Sequence, residues 1–191
     1  MFLSIVLIAS TTMNAQQKSF INNVSIETAY GYNIVMSPEV GAVKASDFSS
    51  FGTFQLGGHY QIDKQWGVRA YFASTSVKHN KFSDVDSKVH KLVAEATYKI
   101  LKNNNPFQLT ARAGLGVGVL PNTKNKFSDR VGIVTLGITP SYKIDKQFSV
   151  FLDLTQVFQI SQHLTYDRAY IGGIKTGMML IPSIGVSYKL K

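Results

Sequence analysis

Cysteine is absent from the chain's 191 residues, which excludes disulfides and thiolate metal sites. Also missing is any run of about 20 apolar residues, the length a membrane-spanning helix needs. Proline is scarce, at 5, and charged residues make up only 16%. With 45% hydrophobic residues the chain is still too apolar for intrinsic disorder. Acidic residues are few: 11 Asp and Glu stand against 20 Lys and Arg, a formal charge of +9. That balance fits nucleic acid, an anionic membrane surface, or no specific partner at all. What the chain has in quantity is glycine (15) and aromatics (12%).

Residues 1–15, MFLSIVLIASTTMNA, carry no charge and turn from apolar to small and polar after Ala9. That order matches the central and cleavage regions of a secretory signal, with cleavage expected after Ala15. The basic segment that usually opens such a signal is missing, as it would be if translation began further upstream. Residues 16–191 are then expected to form one mature domain.

From Val24 onward apolar residues alternate with polar or small ones, the period of a strand with two unlike faces. The pattern predicts eight strands, at 24–36, 50–62, 66–78, 89–100, 107–120, 131–144, 148–160 and 175–190. The connections alternate between short (63–65, 101–106, 145–147) and long (37–49, 79–88, 121–130, 161–174). That rhythm belongs to an all-β, antiparallel, up-and-down transmembrane barrel with short turns at one end and long loops at the other.

Parity sharpens this expectation. In FQLTARAGLGVGVL, Phe107, Leu109, Ala111, Ala113, Leu115, Val117 and Val119 share one face, and Gln108, Thr110, Arg112 and three glycines share the other. The same split sends Glu27, Arg69, Lys91, Glu95, Lys99, Arg112, Lys143, Asp153, Lys175 and Lys189 to the polar face. Lys78 and His90, at loop-side strand ends, depart from it. A Lys or Arg on the lipid face near the midplane costs about 2–4 kcal/mol, so the apolar face is read as outward. At the short-turn end the outward positions include Tyr60, Trp66, Tyr98, Phe107, Tyr142, Phe148 and Tyr188, a set suited to an interfacial girdle. Pro140 and Pro182 fall on outward strand positions, where each removes a ladder donor; bulges or a weakened register are expected there. YQIDKQW (60–66) and YKIDKQF (142–148) repeat across two short turns, and NKFSD repeats at 80–84 and 125–129. Shared hairpin ancestry and convergence on good Asp-Lys turn chemistry explain such repeats equally well.

The last strand, MMLIPSIGVSYKLK, resembles the final barrel strand of the OmpA transmembrane family. Ser183, Gly185, Tyr188 and Leu190 match its barrel-assembly signal, with Leu190 where the family usually has an aromatic. LGGHYQI (56–62), LVAEATYKI (92–100) and LTARAGLG (109–116) are similar to the family as well. The resemblance implies an integral barrel of the bacterial outer membrane, inserted by the barrel-assembly machinery and bounded by lipid. It also implies a lumen ion-pair cluster, for which Glu27, Arg69, Glu95, Arg112 and Asp153 are the candidates. Two signs look exchanged: Arg69 stands where a carboxylate is common, and Glu95 where lysine is common. Many members continue into a peptidoglycan-gripping domain; this chain stops at the barrel, so that role is not carried over.

Eight strands enclose a lumen that side chains just fill, so a packed polar plug and a non-enzymatic structural or surface-interaction role are expected, in a monomer. A narrow gated pore is the second reading, and a soluble lipocalin-like binder, apolar inside and polar outside, is the third. Of the four histidines, His59 points inward, His79 and His163 lie in loops, and His90 ends a strand. Ser161 is near His163, but no carboxylate stands at a spacing that would orient a nucleophile pair. Neither a metal site nor a cofactor is expected, because no histidines sit at ligand spacing with carboxylates and no phosphate-binding glycine loop is present. Lys44, Lys78, Lys81, Lys88, Lys124, Lys126 and Arg130 gather at or beyond the outer strand ends. They suit lipopolysaccharide phosphates, or equally a solvated surface, since aspartates 47, 84, 86, 129 and 167 are interleaved. Secretion and lipid-facing strands contradict nucleic-acid binding.

Overall fold

A computed structural model describes residues 23–36, 48–79, 87–101, 106–121, 128–166 and 169–191. The candidate signal segment and the long-loop tips at 37–47, 80–86 and 122–127 lie outside these residues. Alternation becomes strands β1 (Val24–Gly31), β2 (Ile34–Val35), β3 (Phe48–Gln61), β4 (Trp66–His79), β5 (Ser87–Lys99), β6 (Phe107–Pro121), β7 (Ser128–Lys143), β8 (Phe148–Tyr166) and β9 (Ala169–Lys189). From β3 to β9 each strand pairs antiparallel with the next, and β1 pairs with both β3 and β9, closing the sheet. β1 and β2 form one stave, since Gly31 faces Ser183 and Ile34 faces Leu180 in unbroken register. The structure is therefore a closed, eight-stranded, all-antiparallel barrel.

The two prolines interrupt hydrogen bonding without shifting register. Along β7 and β8 the pairing stops after Ile138–Leu154 and resumes at Ser141–Phe151, skipping Pro140. Pro182 lies beside the break between β1 and β2, where its carbonyl accepts from the Tyr32 N–H at 3.0 Å. The bulges occur elsewhere, between Phe51 and Thr53 and between Ser161 and His163. At the first, Gly52 takes φ 51° with the Tyr30 hydroxyl where a Cβ would lie; both demands select glycine. One sequence boundary needs correction. Residues 161–174, expected as a loop, are largely strand: β8 and β9 run on as a paired hairpin to Tyr166–Ala169. The more polar, glycine-containing composition of this stretch masked the strand.

The exterior carries the apolar residues. Ile26, Leu56, Val68, Phe72, Leu92, Leu115, Leu136, Leu152 and Ile184 are all exposed. A water-soluble ligand binder has the reverse arrangement, so that reading fails on the surface. His90 sits on this outer face, stacked on Phe72 with ring centroids 5.7 Å apart.

The repeated heptapeptides build one turn twice. Asp63 Oδ1 accepts from the Gln65 and Trp66 N–H groups, both at 2.7 Å. Asp145 Oδ1 accepts from the Gln147 and Phe148 N–H groups at 2.6 and 2.7 Å. Gln65 Nε2 then donates to the Tyr98 hydroxyl (2.9 Å), and Gln147 Nε2 to the Tyr188 hydroxyl (3.0 Å). Each turn thus latches onto a tyrosine of the strand beyond. The bonds to the N–H of Trp66, then Gln65, hold the Asp63 carboxyl below the usual carboxylate range, and Phe148, then Gln147, do so for Asp145. A depressed folded-state pKa stabilises the turn above about pH 3.9, and the contribution is lost as pH falls through the lower value. The Gln65 and Trp66 amide proton shifts, followed in micelles, are expected to titrate with a midpoint below about 3.9 and to lose that titration in Asp63→Asn. A midpoint at or above that value would contradict the capping account.

Candidate functional site

Strand alternation turns one side chain in two toward the lumen, and at mid-height the five charged candidates converge. Arg69 (β4) donates from Nε to Glu27 Oε2 (β1) at 2.7 Å, and from Nη1 to Glu95 Oε2 (β5) at 3.3 Å and Asp153 Oδ2 (β8) at 3.4 Å. Arg112 (β6) donates from Nη1 to Glu95 Oε2 at 2.6 Å and from Nη2 to Asp153 Oδ1. Its remaining donors reach Thr139 Oγ1 at 2.7 Å and Thr155 Oγ1 at 2.8 Å. Glu95 Oε1 accepts from Thr135 Oγ1 (2.9 Å) and the Tyr71 hydroxyl (3.4 Å). The Arg69 guanidinium also lies 4.5 Å from the Tyr71 ring centroid. Burial of these charges is tolerable because nearly every lone pair and N–H has a partner. Small neighbours make the room: a Cβ on Gly114 would stand 2.5 Å from Glu95 Cγ, and one on Gly137 2.8 Å from Arg112 Nη2.

On the loop side of this cluster the lumen is mixed: an apolar group lies beside the buried polar residues Asn33, Thr53, Gln55 and Thr75, where Thr53 Oγ1 donates to Asn33 Oδ1 at 2.5 Å and lies 2.9 Å from Thr75 Oγ1. Tyr71, Ala73, Val93, Val131, Ile133, Val157 and Ile181 pack together there, all buried. They lie on the face that parity calls polar. Its charges make that face read as polar although valines and isoleucines stand among them. Lys91 enters this layer and is only 3% exposed, and its Nζ has no hydrogen-bond partner among the described residues.

On the short-turn side the lumen opens into a vestibule of about 670 Å³. Its roof is Glu27, Arg69 and Arg112; its walls include His59, Thr97, Lys99, Lys143, Ser187 and Lys189. His59 Nε2 is 3.0 Å from Thr97 Oγ1, a contact that holds the ring against the wall.

Around the outside of this end, the girdle candidates pair across strands. Trp66 packs on Tyr98 and Phe148 on Tyr188, each with centroids 4.9 Å apart. Phe107 faces Tyr142, and Tyr60 lies between Val24 and Val68. Of the terminal motif, Ser183 is buried in the lumen, accepting from Gln55 Nε2 at 3.4 Å. At Gly185 the Phe151 ring occupies the place of a Cβ. Tyr188 faces out, and the Leu190 N–H closes the seam on the Val24 carbonyl at 2.9 Å. Among the described residues no group of His, Cys, Asp or Glu could hold a metal ion. The Ser161 and His163 side chains, and the basic residues Lys44, Lys78, Lys81, Lys124 and Lys126, lie outside what the structure describes.

With this geometry in hand, the family described as outer membrane protein beta-barrel domain matches residues 2–189. Two of the solved structures that share the fold compare as follows. The Neisserial surface protein A crystal structure is 17% identical, covers 88% of this chain and 97% of its own, and superposes with a TM-score of 0.54. The N-terminal β-barrel domain of Pseudomonas aeruginosa OprF is 14% identical, with coverage of 87% and 98% and a TM-score of 0.50. No curated protein matches the sequence.

Proposed function

The chain belongs to the outer membrane protein β-barrel domain family, and from that premise we propose a non-enzymatic barrel that holds a closed lumen and presents its long loops at the cell surface. One observation carries the reading: the charge cluster and the apolar layer lie one above the other across the barrel. Glu95 Oε1, for instance, is bonded from Tyr71, whose ring belongs to the apolar layer, and from Thr135 on the far wall. Beyond the cluster on the loop side, the void between these residues is about 10 Å³, room for about one water. A solute pathway needs continuous open space, which the side chains of Gln55, Lys91, Val93, Ile133, Val157 and Ile181 fill at this level.

In this reading the barrel is a monomer whose partners are outer-membrane lipid along the apolar band and, during insertion, the assembly machinery acting on Ser183, Gly185, Tyr188 and Leu190. The deciding measurement is conductance in planar bilayers. The native barrel is expected to give no steady ionic current. Discrete openings that vanish in Arg69→Met would favour the gated pore, with the cluster as its gate.

A further inference from the structure

Four strands descend to the short turns, and three of them end in one dipeptide: Tyr98–Lys99 on β5, Tyr142–Lys143 on β7 and Tyr188–Lys189 on β9. The fourth, β3, ends in Tyr60–Gln61. Alternation turns each tyrosine out to the girdle and the next residue into the lumen. The backbone sets the three lysines at corresponding places. Lys99 N–H donates to the Gln65 carbonyl at 2.9 Å, Lys143 N–H to Pro106 at 2.8 Å and Lys189 N–H to Gln147 at 2.8 Å. All three line the vestibule, and the charges of Lys143 and Lys189 bear on Lys99.

Among the described residues no carboxylate stands within ion-pair distance of any of these lysines. The two carboxylates on the vestibule lining are already engaged. Glu27 is held by Arg69, and Asp145 by its own turn amides. The segment between the expected cleavage site and Asn23, QQKSFIN, adds a lysine and no acid. Three lysines at one level, with the turn residue Lys146 beside them, therefore line a cup with hydroxyl-bearing walls, under a roof whose two guanidiniums are matched by Glu27, Glu95 and Asp153. Lysines that line one cup in excess of its two carboxylates, neither of them paired with a lysine, form a site for an anion, and lysine serves phosphate as a point charge. The volume is in the range of small-molecule sites. The barrel wall separates the cup from lipid, so the anion is a soluble one.

We propose that the vestibule binds a small soluble anion bearing two or more phosphate-type groups, admitted from the short-turn side. The test is calorimetric titration of pyrophosphate into the refolded barrel in phosphatidylcholine vesicles. One site per barrel is expected. Lys99→Gln, Lys143→Gln and Lys189→Gln copy the residue that β3 carries at the fourth position, so the fold already accommodates the change. Each is expected to weaken binding about tenfold, and the triple variant to abolish it, with heat-modifiable migration unchanged. Lys64→Gln, an exposed turn lysine outside the cup, is expected to leave binding intact. Absence of binding to the native barrel, or equal losses in Lys64→Gln and Lys99→Gln, would overturn the site in favour of generic surface charge. Loss of pyrophosphate binding when phosphatidylglycerol is added to the bilayer would also overturn it, by assigning the phosphate to a headgroup. Should the triple variant fail to fold, the three single variants decide the matter.

Discussion

Arg112→Ala is expected to destabilise the barrel by about 3–5 kcal/mol, the range for stripping one partner from a buried ion network. The guanidinium touches Glu95, Asp153, Thr139 and Thr155 at once. Its loss leaves two carboxylates facing each other with both side chains only 1% exposed. Arg69 cannot take over, because its Nε is committed to Glu27 and its Nη1 contacts to Glu95 and Asp153 are already long, at 3.3 and 3.4 Å. Water from the vestibule is the competing effect. It would soften the loss at Glu27, whose side chain is 15% exposed, far more than at Glu95 or Asp153. Arg112→Lys keeps a charge but loses the planar fork, so it should recover only part of the stability. Neutralising the set together, with Glu95→Gln and Asp153→Asn added to Arg112→Met, should recover most of it, since no uncompensated ion remains. Urea titration in lipid vesicles, read by heat-modifiable migration, measures all three. A loss below about 1 kcal/mol for Arg112→Ala, the level of an ordinary substitution, would mean that the cluster is hydrated rather than dry.

Much of the barrel was legible because a membrane strand has only two faces and each has its own solvent. Leu115 and Arg112 lie three residues apart and, by parity alone, on opposite sides of the wall. The same rule places Arg69 and Glu95, paired across β4 and β5, in one lumen. Height is harder to read, because it depends on strand tilt and on cross-strand register. That is why Asp153 and Glu95 meet through Arg112, although β7 separates β6 from β8. Parity also says nothing of which inward apolar residues meet one another. Val131 and Ile133 share the face of Lys143, so parity turns them inward; that they gather with Tyr71, Val93, Val157 and Ile181 depends on register around the closed sheet. The lysine cup was present in the sequence as three Tyr-Lys endings. Seen strand by strand each is one inward charge; the ring appears only when β5, β7 and β9 are known to end at one level. The turn repeat was visible too, but the bond from each turn glutamine to a tyrosine of the strand beyond depends on neighbours that sequence order does not supply.

Ile184→Lys tests the outer face as Arg112→Ala tests the inner one, with an expected loss of about 2–4 kcal/mol. Ile184 is 69% exposed, the most of any large apolar residue described, and its cross-strand neighbours Tyr30 and Leu152 are exposed as well. It lies four residues from the girdle residue Tyr188, hence about 13 Å along the strand. With a tilt of about 35–45° that is roughly 10 Å in height, close to the middle of an apolar band about 25 Å tall. A lysine there cannot reach either interface easily, and no described acid on the outer face stands ready to pair with it. Two opposing accounts predict different numbers. If the exterior met water, lysine at so exposed a site would change stability by no more than about 0.5 kcal/mol. If it meets hydrocarbon, the full loss appears in vesicles, and Ile184→Leu, which keeps the apolar contact, stays near neutral. The adjacent Ser183, buried in the lumen, supplies the internal reference: Ser183→Ala should cost only its bond from Gln55, about 1 kcal/mol. An Ile184→Lys loss no larger than that of Ser183→Ala would place the outer face in water and remove the physical basis for a membrane-spanning barrel.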